Sequence, residues 1–94
     1  MIEIDATNTM VLFGLANEYL KNGDLQRGIA TLEKYIGAAD DEGAAYGMLS
    51  QAYEDTGETE KAKIFLEKGI EVALSHGHPT MAQEFKERLQ EFQS

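Results

Sequence analysis

Cysteine and tryptophan are absent from this 94-residue chain, and 8 basic residues stand against 17 acidic ones. Without cysteine there is neither a disulfide framework nor a thiolate metal site. A reducing, cytoplasmic setting is the default expectation. The formal net charge of −9 divides into −5 over residues 1–42, −3 over 43–76 and −1 over 77–94. Such a surface repels phosphate backbones, which excludes nucleic acid as an expected ligand and disfavours anionic membrane surfaces. Basic or apolar protein segments suit this field best. The longest uninterrupted apolar-or-glycine run is 10–16, far short of the roughly 20 residues that span a bilayer. The N-terminus carries acids, no base and no apolar core, so it is not a secretory signal.

What is present is repetition. Residues 19–35, YLKNGDLQRGIATLEKY, meet YEDTGETEKAKIFLEKG, residues 53–69, when the chain is shifted by 34 positions. Tyr19 falls on Tyr53, Gly23 on Gly57, Leu32 on Leu66, Glu33 on Glu67, Lys34 on Lys68 and Ile36 on Ile70, and upstream Leu15 falls on Leu49. A period of this size means stacked supersecondary units. With 43% hydrophobic residues, the chain is expected to form one small domain over 1–94, with units at 9–42 and 43–76.

The apolar spacing within each unit is helical, and no strand signal competes with it. Residues 1–6 read as a loose leader, and Thr7, Asn8 and Thr9 are all N-cap types. From Met10 a first helix places Leu12, Leu15, Ala16 and Tyr19 on one face. Asn22-Gly23-Asp24 ends it, with glycine in the left-handed position and aspartate free to cap the next helix. A second helix from about Leu25 to Ala39 turns Leu25, Gly28, Ile29, Leu32 and Ile36 inward. Residues 40–43 form the break between units. A third helix over 44–55 buries Tyr46, Leu49, Ser50 and Tyr53, and a fourth over about 60–75 uses Ala62, Phe65, Leu66, Gly69, Ile70 and Ala73. The small residues at 28, 62 and 69 allow close helix approach. A fifth helix over 79–93 carries Met81, Phe85, Leu89 and Phe92 as one stripe, with Pro79 suited to its first turn and Thr80 and Gln83 spaced as a capping box. Its expected task is to cover the inner face of the fourth helix, since terminal units need a polar outside.

This pattern resembles the tetratricopeptide repeat over residues 9–76. In that family a large apolar residue, leucine, a small residue and tyrosine follow one another in the first helix; here they are Leu12, Leu15, Ala16 and Tyr19, then Tyr46, Leu49, Ser50 and Tyr53. The family's turn glycine matches Gly23 and Gly57, its small residue Gly28 and Ala62, and its later apolar residue Leu32 and Leu66. Asp40 and Leu74 replace the usual proline, which lets the fourth helix run on. Tyr35 stands where a small residue is usual, whereas Gly69 conforms. The resemblance implies an all-α fold: a right-handed stack of antiparallel helix hairpins, an α-solenoid of five helices with the last as a cap.

It also implies a protein-interaction module that binds a partner's peptide on a concave face. Carried over by position, that face holds Met10, Phe13, Asn17, Leu20 and Lys21 from the first repeat, and Ala44, Gly47, Gln51, Glu54 and Asp55 from the second. One end is apolar around Phe13 and the other acidic at Glu54 and Asp55, which suits an amphipathic or basic peptide. The alternative is a self-assembling module whose apolar surface is buried in a homodimer, a common remedy for a small core. Chaperone-adaptor members of the family clamp a C-terminal carboxylate across three repeats. Only Asn17 fits that clamp, since Phe13 and Met48 replace its lysine and second asparagine. Both a complete small protein and part of a longer repeat array fit this sequence.

Catalysis is not expected. His76 and His78 are the only histidines, and a metal site needs three or four ligands, so acids such as Glu71 or Glu84 would have to contribute. Asp40-Asp41-Glu42 lacks the spacing of a calcium loop. Ser50, Ser75 and Ser94 sit in no nucleophile elbow, and no phosphate-cradling glycine loop occurs. No cofactor or metal is expected.

Overall fold

A computed structural model describes residues 8–93, apart from the side chain of Gln93. The leader, Thr7 and Ser94 lie outside the described residues. Five helices follow one another: α1 (Thr9–Lys21), α2 (Leu25–Ala38), α3 (Ala44–Asp55), α4 (Thr59–Ser75) and α5 (Pro79–Gln93). No strand occurs among the described residues, so the fold class is all-α. The chain divides into two compact units, Met1–Asp40 and Asp41–Ser94. α1 and α2 form a hairpin in the first, and α3, α4 and α5 pack in series in the second.

In the first unit Asn8 is the cap, its side chain accepting the Val11 N–H at 3.2 Å. Asp24 caps α2 in the same way through Arg27 N–H, also at 3.2 Å. Between them Gly23 holds φ 79°, a conformation that costs a residue with a Cβ about 1–2 kcal/mol. Gly23 N–H donates to Leu20 O and Asp24 N–H to Tyr19 O, satisfying carbonyls that the end of α1 leaves open. Leu12, Ala16, Ile29 and Leu32 are buried. A Cβ on Gly28 would fall 2.5 Å from Leu20 Cδ2, so the hairpin closes over that glycine. Gly14, in the middle of α1, has nothing within 4 Å of such a Cβ. Gly14→Ala is therefore expected to stabilise the fold by about 0.5–1 kcal/mol through helix propensity alone; a urea titration showing a loss would reveal crowding there.

The second unit repeats that turn twice. Gly57 (φ 85°) and Gly77 (φ 77°) occupy the left-handed position. Glu58 N–H donates to Tyr53 O and His78 N–H to Ala73 O, matching the Asp24 bond. The turn between α4 and α5 is thus a third copy of the hairpin turn, although its sequence, HGHP, breaks the 34-residue pattern. Asp41 starts α3, its Oδ2 accepting from Gly43 N–H at 2.8 Å and Ala45 N–H at 3.0 Å. α5 corrects one expectation: it begins at Pro79, so Thr80 lies inside the helix and forms no capping box, and Gln83 donates to Glu87 instead. Without proline at 74, α4 extends over 17 residues.

Leu49, Tyr53, Ala62, Leu66, Ala73, Ala82 and Phe85 are buried here. Ser50 is wholly buried and donates to Ala62 O at 2.9 Å, which removes the penalty of an unpaired hydroxyl. Tyr53 and Phe65 stack with ring centroids 5.4 Å apart. The fifth helix seats Phe85 in a slot made by two glycines. A Cβ on Gly47 would lie 2.7 Å from Phe85 Cε1, and one on Gly69 would lie 2.9 Å from Cε2. The ring fits because both positions lack a side chain.

Candidate functional site

Each unit presents its own surface. On the first, Met10 is 84% exposed, standing one turn before Phe13. The Phe13 ring is half-buried and meets Tyr35 of α2 at 5.1 Å between centroids, tilted by 53°. Thr9, Met10, Phe13, Gly14 and Tyr35 together line a shallow apolar hollow of about 290 Å³. Asn17 is half-buried one turn further along α1, and Lys21 is exposed in its last turn. Leu20 is half-buried over Gly28. Of the five positions expected on this face, the structure gathers Met10 and Phe13 around one hollow and leaves Asn17, Leu20 and Lys21 outside its lining.

On the second unit, Gln51 and Glu54 line a polar hollow of about 250 Å³ together with Arg88, Glu91 and Phe92 of α5. Gln51 Nε2 donates to Asp55 Oδ1 at 3.0 Å, and Asp55 is exposed outside the hollow. Arg88 is held from beneath: its Nη2 donates to Gly47 O at 3.4 Å, and its guanidinium lies 5.9 Å from the Phe85 ring centroid. Gly47, expected to face a partner, is instead buried under Phe85 and Arg88. α5 takes that surface. Ala44 remains exposed.

Tyr35, Arg88, Glu91 and Phe92 line these two hollows beside expected positions, and the sequence reading did not place them there. The signal for Tyr35 was present, since it replaces the small residue usual at its position. Nothing comparable marked Arg88, because α5 read as a cover whose polar side faced water. Glu42, rather than Glu71 or Glu84, supplies the carboxylate beside His76 and His78. Among the described residues no three of His, Asp or Glu are placed to hold a metal ion. Nor is any helix among them long and apolar enough to cross a membrane.

Two helical hairpins related by 34 residues, each closed on a left-handed glycine, define a helical repeat scaffold. The tetratricopeptide repeat model matches residues 11–42 and 43–76, and the chain belongs to that family. Repeats of this family are in general protein–protein interaction modules and non-catalytic scaffolds. Comparison with curated proteins and with solved structures gave no match.

Proposed function

We propose that this chain binds a peptide segment of a partner protein, with an apolar side chain of that segment seated in the Met10–Phe13–Tyr35 hollow. The observation that carries the reading is Met10, 84% exposed at the rim of a hollow floored by two aromatic rings. Exposed methionine beside aromatic groups suits adaptable apolar recognition, because the thioether side chain is unbranched and polarizable. The net charge of −9 favours basic or amphipathic segments; the second unit, by itself, offers such segments the carboxylate and amide groups of its Gln51–Glu54 surface. Asn17, Leu20, Lys21 and Asp55 belong to the wider faces in this reading.

The same exposed methionine favours a second reading, in which another copy of the chain covers the hollow. An isologous contact needs only one self-complementary patch. Sedimentation equilibrium on wild type and Phe13→Glu, with anisotropy titrations of labelled basic amphipathic peptides, separates the two. Peptide binding predicts a monomer that loses affinity at least about tenfold, or ~1.4 kcal/mol, in the variant. A wild-type dimer dissolved by Phe13→Glu supports self-assembly. A monomer whose peptide affinities are unchanged by the substitution would refute both uses of the hollow.

A further inference from the structure

The turn that closes the first hairpin holds a reactive pair of residues that the other two turns lack. Asn22 is the C-cap of α1 and is followed by Gly23 at φ 79°. Both residues are exposed, and nothing lies within 4 Å of where a Gly23 Cβ would stand. An asparagine side-chain carbonyl carbon and the backbone nitrogen of the next residue can close into a cyclic imide. Glycine in the second place leaves that nitrogen unshielded, because it has no side chain to crowd the approach. The same places in the other two turns are Thr56-Gly57 and His76-Gly77, with left-handed glycines but no amide to attack.

We infer that Asn22–Gly23 is a covalent modification site, converted to aspartyl and isoaspartyl forms when the α1–α2 turn opens and protected while it is closed. This inference is independent of the peptide-binding reading. The Gly23 nitrogen gives its proton to solvent base and attacks Asn22 Cγ. The new C–N bond closes the imide as the side-chain nitrogen departs as ammonia. One water molecule then opens the ring. Cleavage of the bond from nitrogen to Cγ gives aspartate and restores the ordinary main chain. Cleavage of the bond to the main-chain carbonyl carbon gives isoaspartate, whose main chain runs through Cβ and Cγ.

The closed turn resists this chemistry in two ways. Asn22 has ψ 2°, so the Gly23 nitrogen nearly eclipses the Asn22 nitrogen and is turned away from the side chain it would attack. Ring closure needs rotation about the Cα–C bond of Asn22, and that rotation is tied down. Gly23 N–H donates to Leu20 O at 3.1 Å, Asp24 N–H donates to Tyr19 O at 2.8 Å, and the Asp24 side chain caps α2. The first of these bonds also holds the proton that the attack must lose. Exposed turns open locally at less cost than unfolding the whole chain.

The products do not fit the turn they came from. Isoaspartate lengthens the main chain by one methylene just before Gly23, which shifts the N–H groups of residues 23 and 24 off their carbonyls. Either product adds a carboxylate at the C-terminus of α1, where the helix dipole favours cations. The reaction therefore runs one way and leaves a record of opening. The other asparagines are placed differently: Asn8 precedes Thr9 and caps α1, and Asn17 precedes Glu18 within that helix.

Peptide mass mapping of protein held at mildly alkaline pH tests this, reading the exchange of an amide NH2 for OH at each asparagine. Wild type, Asp24→Ala and Asp24→Ser are each incubated in native buffer and in guanidinium chloride. In the denaturant all three should convert at Asn22 at one rate, ahead of Asn8 and Asn17. In native buffer wild type should convert at least about tenfold more slowly. Asp24→Ala, which loses the α2 cap, should react about fivefold faster there than wild type, whereas Asp24→Ser keeps a capping oxygen and should match it. A guanidinium series on wild type repeats the test without a substitution, since conversion should climb with the opened fraction. Equal rates for native and denatured wild type would overturn the protection. An Asn22 no faster than Asn8 or Asn17 in the denaturant would overturn the site. A native rate unmoved both by Asp24→Ala and along the guanidinium series would overturn the link to turn opening.

Discussion

Phe85→Ala is expected to cost about 3–5 kcal/mol, the range for truncating a buried aromatic side chain. A 94-residue chain has a total stability of roughly 5–14 kcal/mol, so this one ring carries a large share. The reason is its setting. Phe85 is 6% exposed and fits against the backbone of Gly47 and Gly69 on two different helices. Neither glycine has a side chain that could move into the space left by the ring. The guanidinium of Arg88, which lies over the ring and reaches Gly47 O, loses its support as well. Urea denaturation followed by circular dichroism measures the loss. A change below about 1 kcal/mol would mean that α5 is not held by this slot.

Gly69→Ala is the converse experiment, and its sign is informative. At an open helical site the substitution stabilises by up to about 1 kcal/mol, as expected at Gly14. At Gly69 the new methyl would lie 2.9 and 3.0 Å from two Phe85 ring carbons and 3.1 Å from Tyr46 Cβ. Tyr46 Cβ is fixed to the α3 backbone, so the ring has to yield. Overpacking of this kind costs about 1–3 kcal/mol, leaving a net loss of up to about 2 kcal/mol after the helix-propensity gain. Combining Gly69→Ala with Phe85→Leu should make the two changes less than additive, since a smaller side chain relieves the contact. Full additivity would show that the methyl and the ring do not meet.

The repeat made most of the fold legible before any coordinates. Tyr19 on Tyr53 and Gly23 on Gly57 placed two hairpins and their turns, because those residues are read by backbone geometry and burial in the same way wherever they recur. The stripe through Met81 and Phe85 placed α5 for the same reason. Gly47 was misread because a glycine leaves no mark in an apolar periodicity; its position alone assigned it to a partner-facing surface. The 34-residue comparison held the missing clue, since it aligns Gly47 with Phe13 and Gly69 with Tyr35. The third turn was hidden for a different reason. HGHP shares only its glycine with NGD and TGE, yet the hydrogen bonds of His78 and Asp24 are equivalent. Arg88 and Glu91 line their hollow through the packing of α5 beside α3, a tertiary relation that no local pattern encodes.

The alignment of two aromatic residues with two glycines also limits how this protein can be rebuilt. Where the second hairpin seats Phe85 against Gly47 and Gly69, the first carries the rings of Phe13 and Tyr35 at the aligned positions. The two hairpins are therefore not exchangeable bricks. A rearranged chain in which α5 directly followed the first hairpin would bring Phe85 to two aromatic side chains, whereas one in which α5 follows a copy of the second keeps the two glycines that its ring packs against. Engineers wishing to lengthen the chain should copy residues 43–76 and leave 9–42 in single use.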